Sequence, residues 1–246
     1  MVERWALVTG AGRGIGAETV RELARRGFAT VVNYRGDARS AEAVARSVRD
    51  AGGRAETVRA DVTDPDQVRQ LLDQCPRLDA LVCNANIQPP FAPLAEMGWD
   101  DFARKVTGEL AAVFHVSQRG LARMRRQGNG RVVYVSSVSA DRVRPGAVAH
   151  ATAKAALNTF ADHVAAEAAR DGIRVNTVAP GLVRTDATAG LFTPEAERAR
   201  AATSVLGRLL EPGDIAPVIG SLVAGDLDAV CGVHLRVDGG ERVLAG

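Results

Sequence analysis

The groups best able to do chemistry stand in one stretch, Arg131 to Lys154 (R-V-V-Y-V-S-S-V-S-A-D-R-V-R-P-G-A-V-A-H-A-T-A-K). A β-branched run, Val132 to Val135, ends in Ser136 and Ser137. A polar loop with Asp141, Arg142, Arg144 and Pro145-Gly146 follows, and then a small-residue helix carrying His150 and Lys154. Their i,i+4 spacing puts imidazole and ammonium on one helical face. A hydroxyl at a strand end, facing His and Lys on the next helix, is suited to proton transfer. An imidazole with an unperturbed pKa of about 6.5 can donate and accept protons near neutrality. Lys154 one turn away disfavours the imidazolium, because like charges repel.

The elements that must hold these groups alternate between strand and helix. Strands are expected at Trp5–Thr9, Ala29–Tyr34, Ala55–Ala60, Leu78–Cys83, Val132–Val135, Ile173–Val178 and Val233–Val237. Helices are expected at Ile15–Arg26, Ser40–Ala51, from Pro65 onward, Trp99–Arg126 with a break near Gly108, Val148–Arg170 and Asp214–Ala224. The strands are continuously apolar rather than alternating, which argues for a doubly wound α/β fold, a parallel sheet with helices on both faces. No Pro-, Gly- or Ser-rich linker divides the chain, so residues 1–246 read as one domain, with a mobile lid over 185–205.

Composition bounds the function. A net charge of +2 over 246 residues does not argue for nucleic acid. Cys75, Cys83 and Cys231 show neither metal spacing nor a disulfide framework, so a reducing, cytoplasmic location is expected and no metal site. The apolar run at the N-terminus is too short for a membrane span.

Between the first strand and helix lies T-G-A-G-R-G-I-G, with Gly10, Gly12, Gly14 and Gly16. Glycines there allow close backbone approach, and the N–H groups of a helix that begins near Ile15 can meet a pyrophosphate. The second strand ends Asn33-Tyr34-Arg35, with no acidic residue until Asp37 to hold a ribose 2′-hydroxyl. Arg13 and Arg35 are instead placed to embrace the 2′-phosphate of NADP(H). Asp61 and Val62 follow the third strand, where they can meet an adenine, although an Asp before a helix is equally a cap.

With these motifs the chain resembles the short-chain dehydrogenase/reductases, in particular 3-oxoacyl-carrier-protein reductases and polyketide ketoreductases. The resemblance covers nearly the whole length and rests on T-G-A-G-R-G-I-G, A-D-V-T-D (Ala60 to Asp64), C-N-A-N (Cys83 to Asn86), Ser137, Lys154, V-N-T-V-A-P-G (Val175 to Gly181) and V-D-G-G (Val237 to Gly240). It implies a Rossmann-type sheet of seven strands in the order 3-2-1-4-5-6-7, a dimer or tetramer, and a nicotinamide site at the strand ends. Asn84, Ala85, Pro180, Gly181 and Thr185 match the family's nicotinamide-side segments. The resemblance also implies that Ser137 polarises a carbonyl and that Lys154 binds the nicotinamide ribose.

The family's catalytic tyrosine, however, is His150 here, at the usual thirteen residues from Ser137, and Tyr134 within the strand cannot replace it. Aligning Val113-Phe114 with the family's G-x-F segment places Glu109 where its catalytic asparagine stands. The glycine that closes the family's N-N-A-G is Asn86, a residue that tolerates left-handed geometry. A linked Glu–Lys–His site is the expectation, in which Glu109 pairs with Lys154 or His150 and offsets the repulsion. The activity expected is NADPH-dependent reduction of a carbonyl in a small molecule, such as a polyketide or other secondary metabolite. The alternatives are a catalytically impaired cofactor-binding subunit that pairs with an active relative, and a non-redox or imine-reducing member of the fold. Arg142 and Arg144 flank the expected substrate mouth, whereas the family's carrier-protein docking positions fall on Gly128 and Asp171. His115, His163 and His234 lack partner spacing and read as structural.

Overall fold

Strand β1 (Arg4–Val8) shows why the strands read as unbroken apolar runs. Successive side chains point to opposite faces, and both faces are covered: Trp5 and Leu7 enter one core, Ala6 and Val8 the other. In the computed structural model, which describes residues 2–186, 188 and 193–244, the chain continues as α1 (Gly14–Arg25), β2 (Phe28–Tyr34), α2 (Ala38–Asp50), β3 (Ala55–Arg59), α3 (Pro65–Asp73), β4 (Ala80–Cys83) and α4 (Trp99–Gln127). Then come β5 (Gly130–Val135), α5 (Val148–Ala168), β6 (Ile173–Pro180), α6 (Pro194–Ala201), α7 (Pro212–Ala224), β7 (His234–Val237) and α8 (Glu241–Leu244).

The seven strands form one parallel sheet in the order β3-β2-β1-β4-β5-β6-β7. The expected fold and strand order are therefore observed. Strand order reverses between β1 and β4, and the crevice outside the carboxyl ends of these strands is where ligands bind in open α/β sheets. No helix among the described residues is long and apolar enough to cross a membrane.

Three boundaries differ from expectation in ways that bear on the site. Helix α4 runs unbroken through Gly108. A glycine costs a helix interior only about 1 kcal/mol, and this one admits the loop after β4: a Cβ there would stand 3.1 Å from Ile87 Cγ1. Strand β6 extends to Pro180, which pairs with Val237 at the sheet's last ladder. The segment expected to be a lid contains α6, with Arg184 and Arg200 paired to Glu197 and Glu241. Ala187 and residues 189–192 of that segment lie outside the described residues.

Tyr134 has no access to the crevice. It is fully buried in β5, its hydroxyl 2.7 Å from Ser117 Oγ and its ring edge-on to Phe160. Tyr134→Phe is expected to lower stability by about 1–2 kcal/mol through the lost hydrogen bond, while leaving turnover unchanged. Urea unfolding and steady-state rates check this, and a loss of turnover at unchanged stability would contradict it.

Candidate active site

The crevice begins with the turn from β1 into α1. Gly10 and Gly14 take left-handed φ values of +61° and +56°, a region open to glycine at no steric cost. At Gly10 a Cβ would also stand 2.9 Å from Ala85 Cα, so the turn and the loop after β4 meet backbone to backbone. Polar side chains lock this contact. Asn33, at the end of β2, accepts from Gly10 N and donates to the carbonyls of Val58 and Ala60. Thr9 Oγ1 accepts from Asn84 N and Ala85 N, and Asn84 Nδ2 returns a bond to Thr9 O at 3.0 Å. Gly16 does not line the crevice. It serves packing instead, since a Cβ there would lie 2.5 Å from Asn84 Nδ2.

A cavity of about 690 Å³ runs along these strand ends. Gly10, Gly12, Gly14 and Ile15 form its floor, where the first N–H groups of α1 have no intrahelical partner. Arg13, Arg35, Asp61 and Val62 line one end. Arg13 and Arg35 are exposed, and Arg35 Nη1 is only loosely held by Asp61 Oδ2 at 3.8 Å. Of the two readings of Asp61, the cap falls away: Asp64 caps α3, whereas Asp61 folds back on Thr63 N and Oγ1. Asn84, Ala85, Pro180, Gly181 and Thr185 line it as well. A glycine floor under a helix N-terminus, with two exposed guanidinium groups at one end, fits a dinucleotide that carries an extra phosphate.

The other end brings Ser137, His150 and Lys154 together on the same cavity wall. Ser137 follows β5, its Oγ accepting from Ser139 N. Helix α5 then presents His150 and Lys154. Lys154 is 4% exposed. Its Nζ donates to Val135 O at 2.8 Å, which ties the helix to the end of the strand carrying Ser137.

Behind Lys154 lies a buried row of charges. Glu109 Oε1 pairs with Lys154 Nζ at 2.6 Å, and Glu109 Oε2 pairs with Lys105 Nζ at 2.5 Å while accepting from Ile87 N. Lys105, fully buried, spends its other donors on Asn86 Oδ1 and Ile87 O. Burial opposes the charged carboxyl of Glu109, but the ammonium groups of Lys154 and Lys105 outweigh it and hold it at about 2. Burial pulls Lys105 down to about 8 despite that partner.

Lys105 was not among the expected residues, although its i,i+4 spacing from Glu109 on one helix is a signal of their pairing. Glu109 was expected among the catalytic groups, but it does not line the cavity. It pairs with Lys154, one of its two expected partners, and among the described residues it forms no ion pair with His150. Asn86 is not left-handed, since no described residue other than glycine has positive φ; its amide serves Lys105 instead. His115, His163 and His234 do not line the cavity, and His234 pairs with Asp162.

His150 departs most from expectation. Its pKa does not lie near neutrality: burial, then the charges of Lys154 and Lys105, push it to about 3, and Glu109 offsets this only in part. The ring is neutral in ordinary buffer. Nδ1 is buried without a partner, and the residue lines the cavity. A buried orphan N–H is costlier than a buried orphan acceptor, which favours the proton on Nε2.

The likeness to known proteins agrees with this geometry. A family model described as enoyl-(acyl carrier protein) reductase matches residues 10–241. The cis-4-hydroxycyclohexanecarboxylate dehydrogenase of Sinomonas cyclohexanicum is 41% identical over 243 residues, 97% of this chain and 96% of that protein. The 3-oxoacyl-[acyl-carrier-protein] reductase of Synechocystis is 36% identical over 247 residues, 96% of this chain and 95% of that protein. A gluconate 5-dehydrogenase from Burkholderia cenocepacia, crystallised with NADP and tartrate, superposes with a TM-score of 0.91 at 32% identity, covering 99% of this chain and 96% of that one. The chain belongs to the short-chain dehydrogenase/reductase family of oxidoreductases.

The buried groups make the fold sensitive to acid. His150 takes up its proton near 6.5 when unfolded and near 3 when folded, so the unfolded state binds more protons between those values and stability falls as pH drops through them. Glu109, lowered from 4.5 to about 2, adds a loss in the same direction at lower pH. The expected slope is up to about 1.4 kcal/mol per pH unit for His150 alone, and His150→Gln is expected to remove it. Denaturant midpoints measured from pH 7 to 4 check this; parallel curves for the two proteins would contradict it.

Proposed function

We propose that the protein is an NADP(H)-dependent oxidoreductase that interconverts a small-molecule carbonyl and its alcohol at Ser137, His150 and Lys154. One observation carries the reading: a single cavity has the glycine floor and Arg13 and Arg35 toward one end, and Ser137, His150 and Lys154 at the other. Arg13 and Arg35 would hold the 2′-phosphate, the amides at Gly14 and Ile15 the pyrophosphate, Asp61 and Val62 the adenine, and Lys154 the nicotinamide ribose. Asn84, Ala85, Pro180, Gly181 and Thr185 would flank the nicotinamide. The bound cofactor supplies or accepts the hydride.

The chain's own part is to hold the reacting oxygen and move its proton. Ser137 Oγ and His150 Nε2–H would both donate to the carbonyl oxygen. As negative charge grows there, the imidazole N–H passes its proton to oxygen, and water in the cavity restores it. Cations that disfavour an imidazolium favour this step, because they stabilise a ring that is losing a proton. Glu109 would hold Lys154 in place for that purpose. Loss of the phenol thus leaves the electrostatic logic of the site intact with a weaker acid.

The relatives named above act on hydroxy or oxo compounds, which supports this class of substrate. A free substrate is favoured over a carrier-bound one, since Asp171 pairs with Arg125 and Gly128 closes α4 at the docking positions. Residues 185–205 would form the lid. A homo-oligomer built on α4 and α5 is supported by Phe114, 48% exposed and in contact with Phe160 on the neighbouring helix. Three unpaired cysteines suit the reducing cytoplasm.

Two measurements test the reading. With NADPH and a ketone, His150→Ala is expected to lower turnover at least about 100-fold, and the wild-type rate is expected to show no ionisation near pH 6.5. Equal rates for wild type and alanine variant would overturn the role of His150. The double substitution Arg13→Ala and Arg35→Ala is expected to raise the KM for NADPH about 10- to 100-fold, from the loss of charge-assisted hydrogen bonds, with little change for NADH. Equal effects on the two cofactors would exclude the 2′-phosphate assignment.

A further inference from the structure

Three guanidinium groups, those of Arg142, Arg144 and Arg200, stand at the substrate end of the cavity with the carboxylate of Glu241. That carboxylate is shared: Arg142 pairs with it at 2.7 Å and Arg200 at 3.7 Å. Arg144 is different. It is half-buried and, among the described residues, its side chain forms no ion pair and no hydrogen bond. Asp141 in the same loop is taken by Arg236, and Asp186 on the cavity wall makes no ion pair with it. Burial, and then repulsion from Arg200, press against its charge, and Glu241, already shared by two other arginines, offsets this only in part. A cation drawn partly from water without a counter-ion of its own is a cost that a bound anion removes.

The fork is also held in place. Its Cζ lies 5.4 Å from the centroid of the Phe91 ring, and that ring lies 6.0 Å from the His150 ring. Ala92 N donates to Gly146 O at 3.0 Å, which joins the Phe91 loop to the Arg144 loop. The Phe91 ring thus meets both the guanidinium of Arg144 and the imidazole of His150, and all three residues line the cavity.

We infer that Arg144 anchors the substrate through a carboxylate, and that an apolar body lying on Phe91 separates this carboxylate from the carbon that reacts beside His150. The substrate class is a keto acid or hydroxy acid whose two functional groups are remote from one another. One uncommitted guanidinium matches a monoanionic carboxylate, bound bidentately. A phosphate would call for the second and third arginines, which Glu241 occupies. The inference rests on the oxidoreductase reading for the position of the reacting carbon, but not for the anion site itself.

The test uses the full chain saturated with NADP+. Calorimetric binding of cyclohexanecarboxylate is compared with that of cyclohexanecarboxamide, in wild type, Arg144→Gln and Arg144→Lys. The acid is expected to bind wild type at least about 10-fold more tightly than the amide, a charge-assisted hydrogen bond's worth. Arg144→Gln is expected to abolish that preference and Arg144→Lys to retain part of it. Equal binding of acid and amide to wild type, or a preference that survives in Arg144→Gln, overturns the inference. Displacement of the acid by inorganic phosphate at lower concentration than by acetate overturns the choice of carboxylate. In parallel, NADPH oxidation is followed with 4-oxocyclohexanecarboxylate and its carboxamide. The ratio of their kcat/KM values is expected to collapse about 10- to 100-fold in Arg144→Gln, chiefly through KM. If the acid binds through Arg144 yet neither ketone is reduced, the anion site stands and the oxidoreductase reading fails.

Discussion

Two ammonium groups and one carboxylate, buried in a row behind the cavity wall, set the terms for everything around them. Lys105, Glu109 and Lys154 are 0%, 1% and 4% exposed, so water does little to separate their charges. A buried row of this kind survives only when its hydrogen bonds are made, and here the backbone makes many of them. Val135 O receives Lys154, Ile87 O receives Lys105, and Ile87 N serves Glu109. The end of β5, the loop after β4 and helices α4 and α5 are thereby held in one register. Removal of Glu109 would leave two unpaired ammonium groups in the interior, a loss of about 3–5 kcal/mol.

The same row helps to set the state of His150. Burial keeps a proton from the imidazole, and the row's surplus of positive charge works in the same direction. The ring is therefore a neutral donor and not an acid–base group poised at neutral pH. Asn86 and Glu109 are joined through Lys105, and Glu109 is joined to Lys154. They form one buried polar cluster, with Asn86 holding Lys105 at 2.8 Å. Connection of this kind is what a site under constraint would show, since a half-satisfied buried network is costlier than none.

The cavity is polarised along its length. Arg13 and Arg35 give one end a positive face, and Arg144 gives the other a second one, with glycine backbone between. Parallel strands make this possible. They bring their carboxyl ends to one edge, so loops distant in sequence share a wall. Asn33, Thr9 and Asn84 then fix the spacing of the loops after β1, β2 and β4 by side chain to backbone bonds.

Much of this was legible in the chain itself. Apolar runs separated by helical periods determined a parallel sheet, because burial on both faces leaves no room for alternation. Glycines at fixed spacing marked the turn from β1 into α1, and Ser137, His150 and Lys154, all named from the sequence, line the cavity. Local patterns carry such features, since each depends on neighbours along the chain. What tertiary structure decided was which charges meet. Lys105 went unnamed in the sequence, and only folding sets it against Asn86 and Ile87. Glu109 looked like a catalytic group until it proved to stand behind Lys154. The pKa of His150 could not be read from its type, because desolvation and the sum of distant charges set it. Electrostatics in a buried site depends on distances in space, and those exist only once the chain is folded.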